Sequence, residues 1–144
     1  MMPYIYFDTS AWLKLYISEA GSAQAAELAS AFQIVSSSIV LAESLSALKR
    51  RYTNRELSKA QFTRLVKQIT ADIATINTMP LNSQNLSKSE KIVLETPSGA
   101  LDALHIAAAL LFQDMTKSAL KFVTADKRQA QSAEQVGLKV LLIG

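Results

Sequence analysis

A chain of 144 residues with 49% hydrophobic content has the length of one ordinary domain and enough apolar side chains for a real core, so residues 1–144 are read as a single unit. The absence of cysteine excludes a disulfide framework, a thiolate zinc site and a cysteine nucleophile, and suits a reducing compartment. A net charge of +3 permits a polyanionic partner without establishing one.

In chain order, Tyr4-Ile5-Tyr6-Phe7 is short, aromatic and β-branched, and predicts a buried strand ending at Asp8. Thr9 or Ser10 is then placed to cap a helix carrying Trp12, Leu13, Leu15, Tyr16 and Ile17, which Gly21 breaks. An alanine-rich helix over Ser22 to Ser30, a strand over Phe32 to Val35 and a serine-rich turn follow. The spacing of Ile39, Val40, Leu45 and Leu48 predicts a helix from Ser38 to Arg51, whose basic end complements the helix dipole. Ser58 with Gln61 is a capping-box pair opening a second long helix through Phe62, Leu65, Val66, Ile69 and Ile73. Ile76 to Leu81, with Pro80 near its end, reads as an edge strand, and Ser87 with Glu90 marks a short helix. Beyond Pro97-Ser98-Gly99, a helix over Ala100 to Met115 is apolar nearly all round and therefore central. A strand over Lys121 to Thr124, a helix over Lys127 to Val136 stopped by Gly137, and a strand over Lys139 to Ile143 complete the chain.

This alternation predicts an α/β fold with a central, mostly parallel sheet covered by helices on both faces. The amino terminus has no charged region followed by an apolar core. The apolar stretch Ala103 to Phe112 is broken by His105 and too short to cross a bilayer. A soluble, cytoplasmic protein without a membrane partner is expected.

Asp8, Glu43, Asp102 and Asp126 each interrupt or close a core-forming segment. An uncompensated buried carboxylate costs several kcal/mol, on the order of 3–5, so such groups are neutralised, paired or bound to metal. Asp8 and Asp126 follow strands and belong at the carboxyl edge of the sheet, where ligands of open α/β folds collect. Asp102 lies in the first turn of its helix, and Glu43 sits on a largely apolar stripe directed inward. Each alone is compatible with a cap or a buried pair. Four together suggest a shared hard cation, magnesium or manganese rather than zinc. No Gly-x-Gly-x-x-Gly or P-loop pattern is present, and an aspartyl phosphotransferase wants a second acid where Ser10 stands.

Tyr6-Phe7-Asp8-Thr9-Ser10-Ala11, Leu41-Ala42-Glu43-Ser44, Leu101-Asp102-Ala103-Leu104-His105-Ile106-Ala107 and Phe122-Val123-Thr124-Ala125-Asp126-Lys127-Arg128 together resemble the PIN-domain nucleases, most of all VapC-type toxins of toxin–antitoxin pairs. The resemblance runs from Tyr4 to Ile143. It implies a single PIN-like domain and a Mg2+- or Mn2+-dependent endoribonuclease that leaves a 5′-phosphate and a 3′-hydroxyl, with Asp8, Glu43, Asp102 and Asp126 as catalytic, metal-binding acids. It also implies a protein antitoxin and a homodimer. In one departure, Lys127, Arg128 and Gln129 follow Asp126 where some relatives carry a further acid, so a second ion has one carboxylate fewer.

Thr9 and Thr124 are candidates to orient the acids or a water from behind, against simple capping or strand-end roles. Lys127 and Arg128 oppose the dipole at a helix start, which points to RNA phosphate. For Lys14, Lys49, Arg50, Arg51 and Arg55 a solvated face is the favoured reading. His105, three residues after Asp102, is read as packing or support rather than ligand or base, and Trp12 with Tyr16 as core or interface rather than a base-stacking platform. The competing functions are a catalytically silent PIN fold that binds RNA or protein, and a solitary RNA-maturation nuclease.

Overall fold

The computed structural model describes residues 2–144. Its strands are β1 (Tyr4–Phe7), β2 (Gln33–Ser37), β3 (Asn77–Met79), β4 (Lys121–Thr124) and β5 (Lys139–Leu142), and they form one wholly parallel sheet in the order β3-β2-β1-β4-β5. The helices are α1 (Thr9–Leu13), α2 (Ser22–Ala31), α3 (Val40–Thr53), α4 (Lys59–Ile73), α5 (Ser83–Glu95), α6 (Ala100–Thr116) and α7 (Lys127–Gln135). Among the described residues no helix is long and apolar enough to cross a membrane.

β1 is central and its side chains alternate between two cores, as a buried strand's must. Tyr6 packs with Val35 and Phe122 beneath α5, α6 and α7, joined by Ile92, Ala103, Ile106, Ala107 and Ala133. Ile5 and Phe7 face the other way, with Ile34 and Val123, toward Trp12 of α1, Ala25 of α2 and Val40 of α3. α6 is buried along most of its length, which its run of alanines permits by letting it lie close to the sheet. A third, smaller core of Leu48, Leu65 and Ile69 joins α3 to α4. Trp12 is a core residue and Tyr16 packs half-buried against the core, with ring centroids 5.3 Å apart and the Tyr16 hydroxyl donating to Asp72 at 2.7 Å.

Several boundaries depart from the sequence reading. α1 ends at Leu13, because the next amides bond three residues back, Lys14 to Ala11, Leu15 to Trp12 and Tyr16 to Leu13, which tightens the chain into turns. β2 extends through Ser36 and Ser37, whose backbones pair with Thr78 and Met79. α3 accordingly begins at Val40 rather than Ser38. α5 starts a turn before Ser87, capped by the Asn82 side chain on the Asn85 amide. The Ser58–Gln61 capping box is present as read, and β3 does lie at the sheet edge, followed by Pro80, which has no amide to donate.

Candidate active site

Asp8 leaves β1 with its backbone amide still donating to the Val123 carbonyl of β4 (3.1 Å), so its carboxylate emerges at the carboxyl edge between the two strands. It is Asp8 itself, and not Thr9 or Ser10, that caps α1: Oδ1 accepts the Ala11 amide at 3.0 Å. The Ser10 hydroxyl donates to Oδ1 at 2.7 Å, and the Thr124 hydroxyl to Oδ2 at 2.5 Å. Ser10 Oγ also accepts the Ala125 amide, at 2.9 Å, and Thr124 Oγ1 the Asp126 amide, at 3.1 Å. The ends of β1 and β4 are thus clamped around one buried carboxylate. Burial raises the Asp8 pKa, and the opposing pulls of His105, Ser10, Thr124 and the Ala11 amide do not cancel it.

Glu43 projects from the first turn of α3 and is half-buried. Its Oε1 accepts the Thr9 hydroxyl at 2.6 Å and faces His105 Nε2 at 2.7 Å. Burial pushes its pKa up, but the His105 hydrogen bond and charge and the Thr9 hydroxyl outweigh that and hold it below the usual range. Thr9 therefore serves Glu43 and Thr124 serves Asp8. The group that receives the charge on the inward stripe of α3 is an imidazole.

Asp102, in the first turn of α6, is placed differently. Burial raises its pKa, the charges of Asp126, Asp8 and Glu43 raise it further, and only the His105 charge opposes them. Asp126 caps α7, its Oδ1 accepting the amides of Arg128 (2.9 Å) and Gln129 (3.3 Å). The buried Gln129 side chain then donates to the Asp102 carbonyl at 3.1 Å, tying α7 to α6 and the fourth acid to the third.

Asp8, Glu43, Asp102 and Asp126 all line one cavity of about 610 Å3, together with Thr9, Ser10, His105 and Arg50. Among the described residues no three of the acidic or imidazole groups converge closely enough to form a ready metal cage. Lys127 and Arg128 are exposed at the start of α7 and are not among the lining residues. Arg50 is. A second hollow runs on from the first through Ser10, Leu13, Ala47 and Arg50, and there Lys14 and Arg51 pair with Glu19, each at 3.2 Å, and Arg51 with Glu56 at 3.6 Å. Arg50 enters none of these pairs and faces both hollows.

Sequence reasoning passed over Ser10 and Gln129 as site residues and gave Arg50 no preference. The signal for Ser10 was the unbroken Asp-Thr-Ser run after a strand. For Arg50 it was the seven-residue step from Glu43, which returns to the same helix face.

Comparison with known proteins gives concordant results. A family model described as PIN domain matches residues 5–135. No curated protein matches the chain by sequence. Among solved structures, a toxin–antitoxin complex from Klebsiella pneumoniae is similar at TM-score 0.62 and 16% identity, over 87% of this chain and 88% of that one. VapBC-1 from nontypeable Haemophilus influenzae is similar at 0.61 and 16%, over 96% and 97%. DNA-bound VapBC from Salmonella typhimurium is similar at 0.61 and 19%, over 98% of each chain. At these identities the likeness is one of fold.

Proposed function

We propose that this chain, which belongs to the PIN domain family, is a metal-dependent endoribonuclease and the toxin of a toxin–antitoxin pair. The observation that carries the reading is the gathering of four carboxylates from four separate parts of the chain onto one cavity at the carboxyl edge of a parallel sheet. The structural neighbours solved as toxin–antitoxin complexes support the assignment to that class.

The donor set suits a hard divalent cation. All four groups are oxygen donors, and the Asp102 carboxylate is repelled by the other three, with no side-chain hydrogen bond to relieve it among the described residues. Asp8, Glu43, Asp102 and Asp126 would hold Mg2+ or Mn2+, which when bound supplies charge stabilisation on the scissile phosphate and lowers the pKa of a water. The chain's own part is positioning. Ser10, Thr124 and the Ala11 amide lock Asp8, while Thr9 and His105 hold Glu43. Arg50, in no ion pair among the described residues, offers a cation to the RNA phosphate along the groove, and Lys127 with Arg128 forms an outer basic rim. An antitoxin partner and a homodimer belong to the same proposal. The face for a second copy is the apolar groove of about 440 Å3 between α5 and α6, bordered by exposed Leu86, Val93 and Leu94.

The test is cleavage of total cellular RNA by purified, antitoxin-free protein in Mg2+, Mn2+ or EDTA, with Asp8→Asn alongside. Metal-dependent cutting that disappears in the variant supports the nuclease; equal cutting by the variant would place the activity elsewhere. One observation favours a second reading, a PIN fold that binds RNA without cleaving it: no three ligating side chains converge among the described residues. RNA binding with no cutting under any metal condition would select that reading.

A further inference from the structure

We propose that His105 is a positioning residue, which orients Glu43 for ion binding through a Tyr6–His105–Glu43 relay. The Tyr6 hydroxyl lies 2.8 Å from His105 Nδ1, and His105 Nε2 lies 2.7 Å from Glu43 Oε1. Every member has a defined place. Tyr6 stands in the central strand, fully buried and stacked on Phe122 at a centroid distance of 5.1 Å. His105 is 2% exposed on α6, one turn after Asp102, and Glu43 opens onto the cavity from α3.

The proton arrangement follows from the partners. A carboxylate at 2.7 Å accepts, so Nε2 carries a hydrogen and donates to it. The Tyr6 phenol, fully buried and 2.8 Å from Nδ1, is a neutral hydroxyl with one hydrogen to donate. In the neutral ring it can therefore donate to Nδ1, which selects the tautomer bearing hydrogen on Nε2; in the charged ring both nitrogens donate, and the Nε2 bond to Glu43 is kept. The Thr9 hydroxyl adds a second donor to the same Oε1 at 2.6 Å. With Oε1 committed to two donors, Glu43 is left with Oε2 for the cavity.

The relay also braces α6 against α3, setting the separation of two carboxylates, Asp102 and Glu43, that repel each other. The inference rests on the reading of Glu43 as an ion ligand. Without the Nε2 donor only the Thr9 hydroxyl still restrains Glu43, and loss of such an outer partner lowers metal affinity about 10- to 100-fold.

The test is titration of the protein with Mn2+ followed by electron paramagnetic resonance of the free ion, which reads binding without reference to cleavage. Four variants are compared with wild type: Glu43→Gln, His105→Gln, His105→Asn and Tyr6→Phe, each checked for folding by thermal melt. Gln and Asn carry the same amide, but only the Gln nitrogen reaches the place of Nε2; the Asn nitrogen reaches that of Nδ1. The relay requires weakened binding in Glu43→Gln, affinity within about 3-fold of wild type in His105→Gln, a drop of about 10- to 100-fold in His105→Asn, and an intermediate drop in Tyr6→Phe. Wild-type affinity in His105→Asn, with Glu43→Gln impaired, would overturn the positioning role. Equal losses in His105→Gln and His105→Asn would reduce the histidine to packing and overturn it as well. Wild-type affinity in Glu43→Gln would instead remove Glu43 from the ion site, a failure of the underlying reading visible in that one variant. If His105→Asn does not fold, Tyr6→Phe decides, since unchanged affinity there means the phenol sets nothing.

Discussion

Asp102 concentrates the charge imbalance of the site. Burial, then Asp126, Asp8 and Glu43, hold its folded-state pKa above the usual 3.8, so folding disfavours its ionised form. The resulting penalty is full at neutral pH, diminishes as pH falls through the raised folded value, and is gone below the unfolded one. Asp102→Asn is expected to raise the Tm of EDTA-treated protein by about 2–4 °C at pH 7. Its advantage over wild type should shrink as the melts are repeated toward pH 4. An advantage that grew on acidification would contradict the repulsion. Glu43 has the opposite sign, since its lowered pKa adds stability above the unfolded value and loses it as pH falls through the folded one. Thr124 tests the clamp. Thr124→Val removes the donor to Asp8 Oδ2 and the acceptor for the Asp126 amide, and should cost about 1–3 kcal/mol in urea unfolding because a buried carboxylate loses a partner.

Between elements, the orientation of α3 decides which cation lines the cavity. Seven residues advance a helix by about 10 Å and return to the same face, so Arg50 stands two turns along the groove from Glu43. On the proposed function, that span fits a neighbouring RNA phosphate better than the one to be cut. Arg50→Ala should weaken RNA binding and lower the salt dependence by roughly 0.7 in the log–log slope, the value for one lost phosphate contact on a single strand. Lys127→Ala with Arg128→Ala should have the smaller effect, because neither lines the cavity. The reverse ranking in salt-titrated binding would move the RNA path to α7. The entry to α2 depends on another close approach. Gly21 has φ 91°, and a Cβ there would lie 2.7 Å from the Gly144 amide nitrogen. Gly21→Ala should therefore destabilise by more than about 1 kcal/mol in denaturant titration.

For the molecule as a whole, the two sides of the sheet are unequally finished. Beneath α1, α2, α3 and α4 the apolar side chains are covered by neighbouring elements, whereas the outer surface of α5 leaves Leu86, Val93 and Leu94 exposed, Leu94 at 87%. Beside them runs the apolar groove against Ala100 and Leu104. Covering such a patch is worth about 25 cal/mol per Å2 of apolar area removed from water, and a charge in place of Leu94, its most exposed member, adds to that of Glu90 and opposes the burial. Under the proposed pairing of two copies, Leu94→Glu is expected to shift the protein from dimer to monomer in light scattering while leaving its Tm in the monomer range unchanged. A wild type that is monomeric at high concentration would return this face to solvent.

The alternation of strands and helices, the central place of α6 and the edge position of β3 were legible in the sequence, because each rests on local periodicity or on a proline; the cost of a carboxylate in an apolar run singled out Asp8, which is buried, and holds less for Asp126, which is exposed. An acid at Asp8 is conspicuous whatever the rest of the chain does. The pairing of supports with acids was not legible. Tyr6 and His105 meet across 99 residues, Thr9 and Glu43 across 34, and Thr124 and Asp8 across 116. Which hydroxyl reaches which carboxylate follows from strand order and from the rotation of each helix about its axis, and no local pattern encodes either. The same reason separates Arg50 from Lys127 and Arg128. The sequence by itself determined which carboxylates the strand and helix ends carry, while the tertiary structure decided that they share one cavity, which side chains hold them there and in what orientation, because those contacts join residues far apart in the chain.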